Sequence, residues 1–362
     1  MTNDEIAKLR LYSQYIACSK ATSPGELLAH LGAMQAQDYN GALWSIGLRL
    51  PGFTRTDVEQ AILDRTIVRT WPMRGTLHFV PAADIHWMLK LLTPKVISGS
   101  AGRHRQLELD EAVFLQARKL ITSALEGNKI LSRSELFGVL EQGGISPAGQ
   151  RGYHILGYLA QQQVICFGPH NEKQPTFVLL DEWIPTSKEL SRDEALQTLT
   201  ERYFTSHGPA TLQDYVNWTG LTLTDARNGL KLACAALQKL TVDNKEYWMS
   251  IHTPEIEEQP PQAYLLSGFD EFMLGYKDRS AALSLEYTNK ICPGNNGVFY
   301  PTLVFAGQVC GTWKSAIKAR GCTINPQPFY ALSAEQQGAF QVPAHAYEHF
   351  IGLPVTISWP DT

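Results

Sequence analysis

The feature that most limits how this chain can fold is a pattern that recurs three times in its first 250 residues: several helices in a row, closed by a short β-hairpin. In the second copy, residues 110–125 have amphipathic helical spacing and Ser132-Arg133-Ser134-Glu135 opens a further helix with capping residues. A third helix is expected over 147–162, and apolar runs at 164–167 and 176–180 then flank the polar turn His170-Asn171-Glu172-Lys173-Gln174. The third copy repeats the order, with helices over 192–205, 211–218 and 224–237, a Gly208-Pro209 break, and short strands around Asp243-Asn244-Lys245. The first copy is less regular: helices over 11–16, 24–37 and 56–64, an extended hairpin over 67–80 broken at Pro72 and Gly75, and an additional helix over 82–92. Beyond a proline-rich joint, Pro254 to Pro261, short β runs at 263–266, 297–300, 302–305, 308–313 and 321–324 are punctuated by glycine and proline, and Ala306-Gly307 is a hairpin signal. The expected fold is therefore α+β. Three tandem winged-helix units (1–105, 106–186 and 187–253) precede a β-barrel-like or curled-sheet domain (254–362) closed by a helix near 333–341.

Composition narrows the function classes. At 44% hydrophobic residues over 362, the chain has ample material for folded cores. Its first ten residues are polar and no run approaches the ~20 apolar residues of a membrane span, so a cytoplasmic protein is expected. The six cysteines are scattered and form no Cys-x-x-Cys pair. His345 and His349 are the one helix-spaced histidine pair and lack the His-Glu-x-x-His pattern, so neither disulfides nor a metal is expected. The net charge of -4 weighs against a nucleic-acid partner. It hides a local excess, however: Arg65, Arg69, Arg74, Lys90, Lys95, Arg103 and Arg105 stand against the single acid Asp84 between positions 65 and 105. A DNA-binding face and an ordinary solvated basic face both fit that cluster.

The candidate chemistry centres on Met34-Gln35-Ala36-Gln37-Asp38. Leu27, Leu28, Leu31 and Met34 mark the buried stripe of a helix over 24–37, on which Gln35 and Gln37 would lie about 200° apart and face away from each other. Asp38-Tyr39-Asn40-Gly41 reads as a stop signal, and one extended step there would bring both amides to one site. Two readings stay open, polar caps on a helix end or a working pair. A glutamine cannot be a general base, so a working pair suits a reaction whose leaving group is already activated. The enzyme then mainly orients a nucleophile and stabilises positive charge through carbonyl dipoles. Hydrolysis of the glycosidic bond of an N-alkylated purine is such a reaction.

Arg74 and His78, four apart in an extended segment, are expected on one side, Arg74 gripping a phosphate and His78 a backbone oxygen; an internally paired Arg and a packed His fit equally well. Ser98-Gly99-Ser100-Ala101-Gly102 reads as a glycine-rich loop into Arg103-His104-Arg105. It has no Walker spacing, so Arg103 and Arg105 are expected on the DNA backbone. Asp270 and Glu271, adjacent on an expected strand, would face opposite ways and so suit a salt-bridge network with Lys277 and Arg279 better than a glycosidase carboxylate pair. The competing function is a non-catalytic winged-helix regulator, but its expected reading helix at 147–162 has Arg151 as its one basic side chain.

Met34-Gln35-Ala36-Gln37, the run from Arg69 to His78 (Arg-Thr-Trp-Pro-Met-Arg-Gly-Thr-Leu-His), Gly268-Phe269-Asp270-Glu271-Phe272-Met273-Leu274-Gly275-Tyr276-Lys277-Asp278-Arg279, and Pro301-Thr302-Leu303-Val304 with Gly311-Thr312-Trp313 together resemble the AlkZ-like winged-helix DNA glycosylases. The resemblance implies three tandem winged-helix units and a β-barrel around a DNA cleft. It also implies that Gln35 and Gln37, as a Gln-x-Gln motif, carry metal-free, monofunctional hydrolysis of N-alkylated purines and the unhooking of interstrand crosslinks. The partner would be double-stranded DNA carrying alkylated or crosslinked purines, bound by a monomer without a cofactor. In that family a hairpin probes the minor groove; the sequence alone does not assign it. A crosslinked base is tethered to both strands and cannot be fully flipped out, so an open cleft is expected.

Overall fold

The computed structural model describes residues 1–172, 174–253, 260 and 262–360. Helices followed by a hairpin recur three times along it. The first set is Asn3–Ser13, Pro24–Leu31, Tyr39–Gly47 and Arg55–Leu63, with the hairpin Ile67–Met73 and Thr76–Pro81. The second is Glu111–Leu125, Arg133–Gln142 and Arg151–Gln161, with Ile165–Phe167 and Thr176–Leu179. The third is Arg192–Ser206, Leu212–Thr219 and Leu223–Leu232, with Leu237–Val242 and Lys245–Ser250. Local chemistry explains where many of these helices begin. Thr54 with Asp57, Ser132 with Glu135, Ser191 with Glu194 and Thr211 with Asp214 form reciprocal capping boxes that satisfy otherwise orphaned N–H groups. The third hairpin turns on Asp243 and Asn244, both with positive φ (48° and 60°), as a tight two-residue turn requires.

The three sets share sheets and cores. Arg69 pairs with Phe167, fusing the first two hairpins into one six-stranded sheet in the order Met34–Gln35, Thr76–Pro81, Ile67–Met73, Ile165–Phe167, Thr176–Leu179, Leu131–Ser132. The third hairpin forms its own two-stranded sheet, joined by a bridge between Ala210 and Trp248. One core joins Val68, Val80 and Met88 of the first set, Cys166 and Val178 of the second, and Leu199, Tyr203 and Trp218 of the third. A second joins Leu43, Trp44 and Phe79 to Leu265, Leu303, Trp313, Tyr347 and Phe350 near the C-terminus. The apolar cores contain residues on both sides of positions 105, 186 and 253.

The C-terminal region is an open five-stranded sheet in the order Val355–Ile357, Gly321–Pro328, Gln308–Lys318, Thr302–Phe305, Ala263–Leu266. Its two edge strands do not pair, so the barrel is not closed. The helix Gln341–Ile351, which the sequence reading missed, packs against both edges instead. The Ala306-Gly307 hairpin forms as expected, with Phe305 opposite Gln308 and φ of 51° and 87° at the turn. Residues 297–300 form no strand. The proline-rich joint expected between Pro254 and Pro261 lies, except for Pro260, outside the described residues. Among the described residues no helix is long and apolar enough to cross a membrane.

The expected glycine-rich loop before Arg103 is also overturned. Ile85–Gln106 is one continuous helix of 22 residues. Its first half is anchored by buried Trp87, Met88, Leu91 and Leu92, and the Ser98 and Ser100 hydroxyls bond back to the Lys95 and Val96 carbonyls, so the small residues are absorbed into the helix. Arg103, His104 and Arg105 fall in its last turn, where positive charge complements the helix dipole.

Candidate active site

The glutamine motif lies on an extended segment. The helix Pro24–Leu31 ends at Gly32, whose φ of 83° suits glycine, and the chain then runs as a short strand with Met34 opposite Phe79 and Gln35 opposite His78. The Ala36 N–H donates to the Leu77 carbonyl at 2.8 Å, prolonging the strand by a residue. The expected helix to Gln37, with a stop at Asp38 to Gly41, is thus corrected twice. The helix stops earlier, and Asp38 is the N-cap of the next one, Tyr39–Gly47. The strand ends after Gln35 and Gln37 lies in the bend that follows, so the two glutamines stand on an extended segment and its exit and not on a helix. Gln35 is 8% exposed, whereas Gln37 stands in solvent.

Three long-range contacts hold this segment. The Arg69 guanidinium donates twice to the Ala36 carbonyl, from Nε at 3.1 Å and Nη2 at 2.7 Å, while lying 4.9 Å from the Phe167 ring centre. Burial pulls its pKa down to about 10, still charged at neutral pH. The Gln37 Oε1 accepts from the Leu77 N–H at 3.3 Å. The Gln35 N–H donates to Glu271 Oε1 at 2.9 Å, and Glu271 Oε2 accepts from the Trp218 indole at 2.8 Å with His207 Nε2 at 3.4 Å. Burial acts to raise the Glu271 pKa, but His207, the Gln35 N–H and His78 outweigh it and hold the carboxyl at about 2. The Gln35 Oε1 is buried and has no hydrogen-bond partner among the described residues. At the solvent end, Tyr39 stacks on His170 at 3.7 Å, which seats the second hairpin against the segment.

The other expected residues separate into two places. Arg74 and His78 are divided by the turn at Arg74-Gly75, so they do not share one strand; they meet across the hairpin, Arg74 Nη2 lying 3.4 Å from His78 Nε2. Arg74 Nη1 donates to the Asn217 carbonyl at 3.3 Å. His78 is fully buried, with Nδ1 at 3.0 Å from the Thr76 carbonyl. That contact makes Nδ1 the protonated nitrogen and leaves Nε2 to accept from Arg74. His78 is thus buried in the strand opposite Gln35, and Arg74, half-buried, is turned to His78 and Asn217. Arg103 and Arg105 are exposed elsewhere, at the end of the long helix, where Arg103 bonds the neutral Gln106 and Gln150 side chains. Among the described residues none of the seven cations from Arg65 to Arg105 has a carboxylate within 4 Å, so the basic excess is uncompensated. Asp84, the one acid of that stretch, is taken by Arg202 at 2.7 Å.

A family model described as DNA glycosylase AlkZ-like matches residues 28–350. The chain belongs to the AlkZ-like family. A curated relative, the interstrand DNA cross-link repair glycosylase of Streptomyces sahachiroi, is 26% identical over 328 residues, covering 84% of this chain and 85% of that protein. The solved Streptomyces sahachiroi DNA glycosylase AlkZ superposes with a TM-score of 0.80 at 22% identity, covering 99% of this chain and all of that one. The AlkZ-like fold thus spans the whole arrangement that brings Gln35, Arg69, Trp218 and Glu271 together.

In this AlkZ-like chain the expected strand at Asp270 and Glu271 is a short helix, Glu271–Leu274, with Asp270 as its N-cap, and the two carboxylates diverge but not onto Lys277 and Arg279. Asp270 is clasped by Arg49, 221 residues away, and Glu271 turns to the motif strand. Sequence reasoning missed the parts played by Arg69, Trp218, His207 and Glu271, all of which act over long separations. The one available signal was that Arg69 and Glu271 each sit inside a family-like run.

Buried neutral histidines give an acid-stability prediction. Burial, aided by the Arg74 charge, holds His78 at about 3, and burial holds His30 and His170 at about 4. An unfolded histidine takes up its proton near 6.5, so below that pH the unfolded chain binds protons that the folded chain refuses. Stability is expected to be flat between about pH 7 and 8 and to fall from about 6.5 downward, with Glu271 adding loss in the same direction below 4.5. Thermal denaturation across this range checks it, and a rise in melting temperature on acidification would contradict it.

Proposed function

We propose that this AlkZ-like protein is a monofunctional DNA glycosylase that hydrolyses the N-glycosidic bond of N-alkylated purines in double-stranded DNA and unhooks interstrand crosslinks, as a monomer without a cofactor. The observation that carries the reading is a buried Gln35 carbonyl oxygen, without a hydrogen-bond partner among the described residues, at the end of a short strand, followed two residues on by an exposed Gln37 in the adjoining bend. A water held by such amides attacks the sugar C1′ as its bond to N9 breaks. The bond electrons neutralise the cationic base, and the proton left on the water passes to solvent. Because an N7-alkylguanine already carries the positive charge of a good leaving group, orientation and carbonyl dipoles are the contributions required of the protein.

The exposed cations Lys90, Lys95, Arg103 and Arg105, with no carboxylate partner among the described residues, support a DNA partner despite the net negative charge, with Arg103 and Arg105 assigned to the phosphate backbone. Arg74 and His78 are assigned to supporting Gln35 from beneath. The three helix-and-hairpin sets are read as three winged-helix units. The long hairpin of Gln308–Lys318 and Gly321–Pro328 is read as the groove probe: Lys314, Lys318 and Arg320 are exposed along it, and Ile317 is 56% exposed near its tip. The Streptomyces relative is named for crosslink repair, which favours crosslinks among the substrates. A regulator that reads bases is disfavoured by Arg151, whose guanidinium is committed to the Ser146, Leu107 and Glu108 carbonyls.

Incubation with duplexes bearing a single N7-alkylguanine or a nitrogen-mustard crosslink is the test. Free base by chromatography and strand separation on a denaturing gel are the expected results, and DNA binding with neither product would overturn the assignment in favour of the regulator.

A further inference from the structure

We propose that Glu271 is a positioning residue for base release, fixing Gln35 from beneath the motif strand and placing a negative potential where the departing base leaves a positively charged sugar. The inference rests on the glycosylase reading above and adds a residue to it. Its ground is a contrast between two adjacent carboxylates, each 1% exposed. Asp270 is neutralised by a bidentate fork from Arg49, at 2.8 and 2.9 Å, and accepts further bonds from Ser45 and the Phe272 N–H; its role is architectural. Glu271 has no arginine or lysine within 4 Å among the described residues. Its partners are the Gln35 N–H, the Trp218 indole and the His207 imidazole. Burying a carboxylate is costly, and a neutral acceptor would have satisfied the Gln35 N–H and the indole equally well.

The surroundings keep this carboxylate in one place. A Cβ at Gly275 would lie 2.6 Å from the Glu271 carbonyl and 2.6 Å from the His207 ring, so only glycine lets the two close on each other. Tyr203 donates to the Gly275 carbonyl at 2.7 Å and Tyr276 to the His207 carbonyl at 2.8 Å, locking both sides. Because the Gln35 backbone is held by Glu271, the Gln35 side chain is not needed for anchorage, consistent with its unpartnered Oε1. Arg74 on the adjoining hairpin bonds the Asn217 carbonyl and His78 and meets Glu271 through its field alone, with no ion pair between them.

The full-length protein with Glu271→Gln separates a charge role from a packing role. Two duplexes would be compared as ligands, one with a pyrrolidine abasic analogue, cationic at neutral pH, and one with its neutral tetrahydrofuran counterpart. The wild type is expected to prefer the cation, and Glu271→Gln to shrink that preference by about tenfold or more. Single-turnover release of N7-methylguanine should slow by a similar factor, with affinity for undamaged duplex unchanged. A merely structural glutamate would leave the cation-to-neutral ratio alone, and an unchanged ratio or a wild-type release rate in Glu271→Gln would overturn the proposal. Should that variant not fold, Glu271→Asp keeps the charge and is expected to retain the preference while releasing base more slowly; loss of the preference would count against the proposal. Absence of release by the wild type itself strikes at the glycosylase reading, and is told apart from release that survives Glu271→Gln.

Discussion

Replacing Arg49 with alanine is expected to cost about 3 to 5 kcal/mol of stability, because it leaves the Asp270 carboxylate buried without its cation. The Arg49–Asp270 pair is wholly inaccessible to water. All five N–H groups of the guanidinium are used: two on Asp270, one on the Ser45 carbonyl, and two on the Gln14 backbone and side-chain oxygens. The bridge therefore ties the ends of two N-terminal helices to the segment that begins at Gly268, and its loss uncouples the first helices from the C-terminal sheet. Lysine offers three donors on a point charge and cannot reproduce the fork, so Arg49→Lys is expected to recover only part of the loss. Chemical denaturation checks both variants. A change below 1 kcal/mol in Arg49→Ala would show that the pair does not hold the two ends together.

Gln35→Ala and Gln37→Ala are each expected to slow base release by about 10²- to 10³-fold, the range for removing a polar group that stabilises a transition state. Neither should unfold the protein. Gln37 is exposed and loses one long bond from the Leu77 N–H, the Gln35 Oε1 has no partner to lose among the described residues, and the bond to Glu271 is made by the backbone and survives the substitution. Melting temperatures within about 3 °C of wild type would establish that. On the proposal that both amides serve one water and one developing cation, the double variant is expected to be little slower than either single one. Multiplicative losses would mean that the two glutamines act independently.

How much of this was legible in the sequence depended on range. Helix starts were readable because capping is local: Ser132 with Glu135 and Thr211 with Asp214 carry their partners three residues away. The hairpin turns at Asp243-Asn244 and Ala306-Gly307 were readable for the same reason. The motif strand was not. Leu27, Leu28, Leu31 and Met34 keep helical spacing across the actual helix end, and Gly32 was the signal that spacing outweighed. A two-residue strand exists only because His78 and Phe79 are there to pair with it. The fusion of two hairpins through Arg69 and Phe167, and the 236 residues between Gln35 and Glu271, likewise leave no trace in local pattern. Charge was misleading in a different way. A basic run was visible, but which of its members turn inward, as Arg69 and Arg74 do, and which face solvent, as Arg103 and Arg105 do, is set by tertiary packing.

The central claim is that Gln35 and Gln37 drive hydrolysis of the glycosidic bond. The most direct measurement is free N7-alkylguanine released from a singly modified duplex with enzyme in excess, for wild type, Gln35→Ala and Gln37→Ala side by side. Fast release by the wild type, leaving an intact abasic strand, with both variants folded and slowed at least about a hundredfold, is the expected result. Release at the wild-type rate in both folded variants would contradict the account.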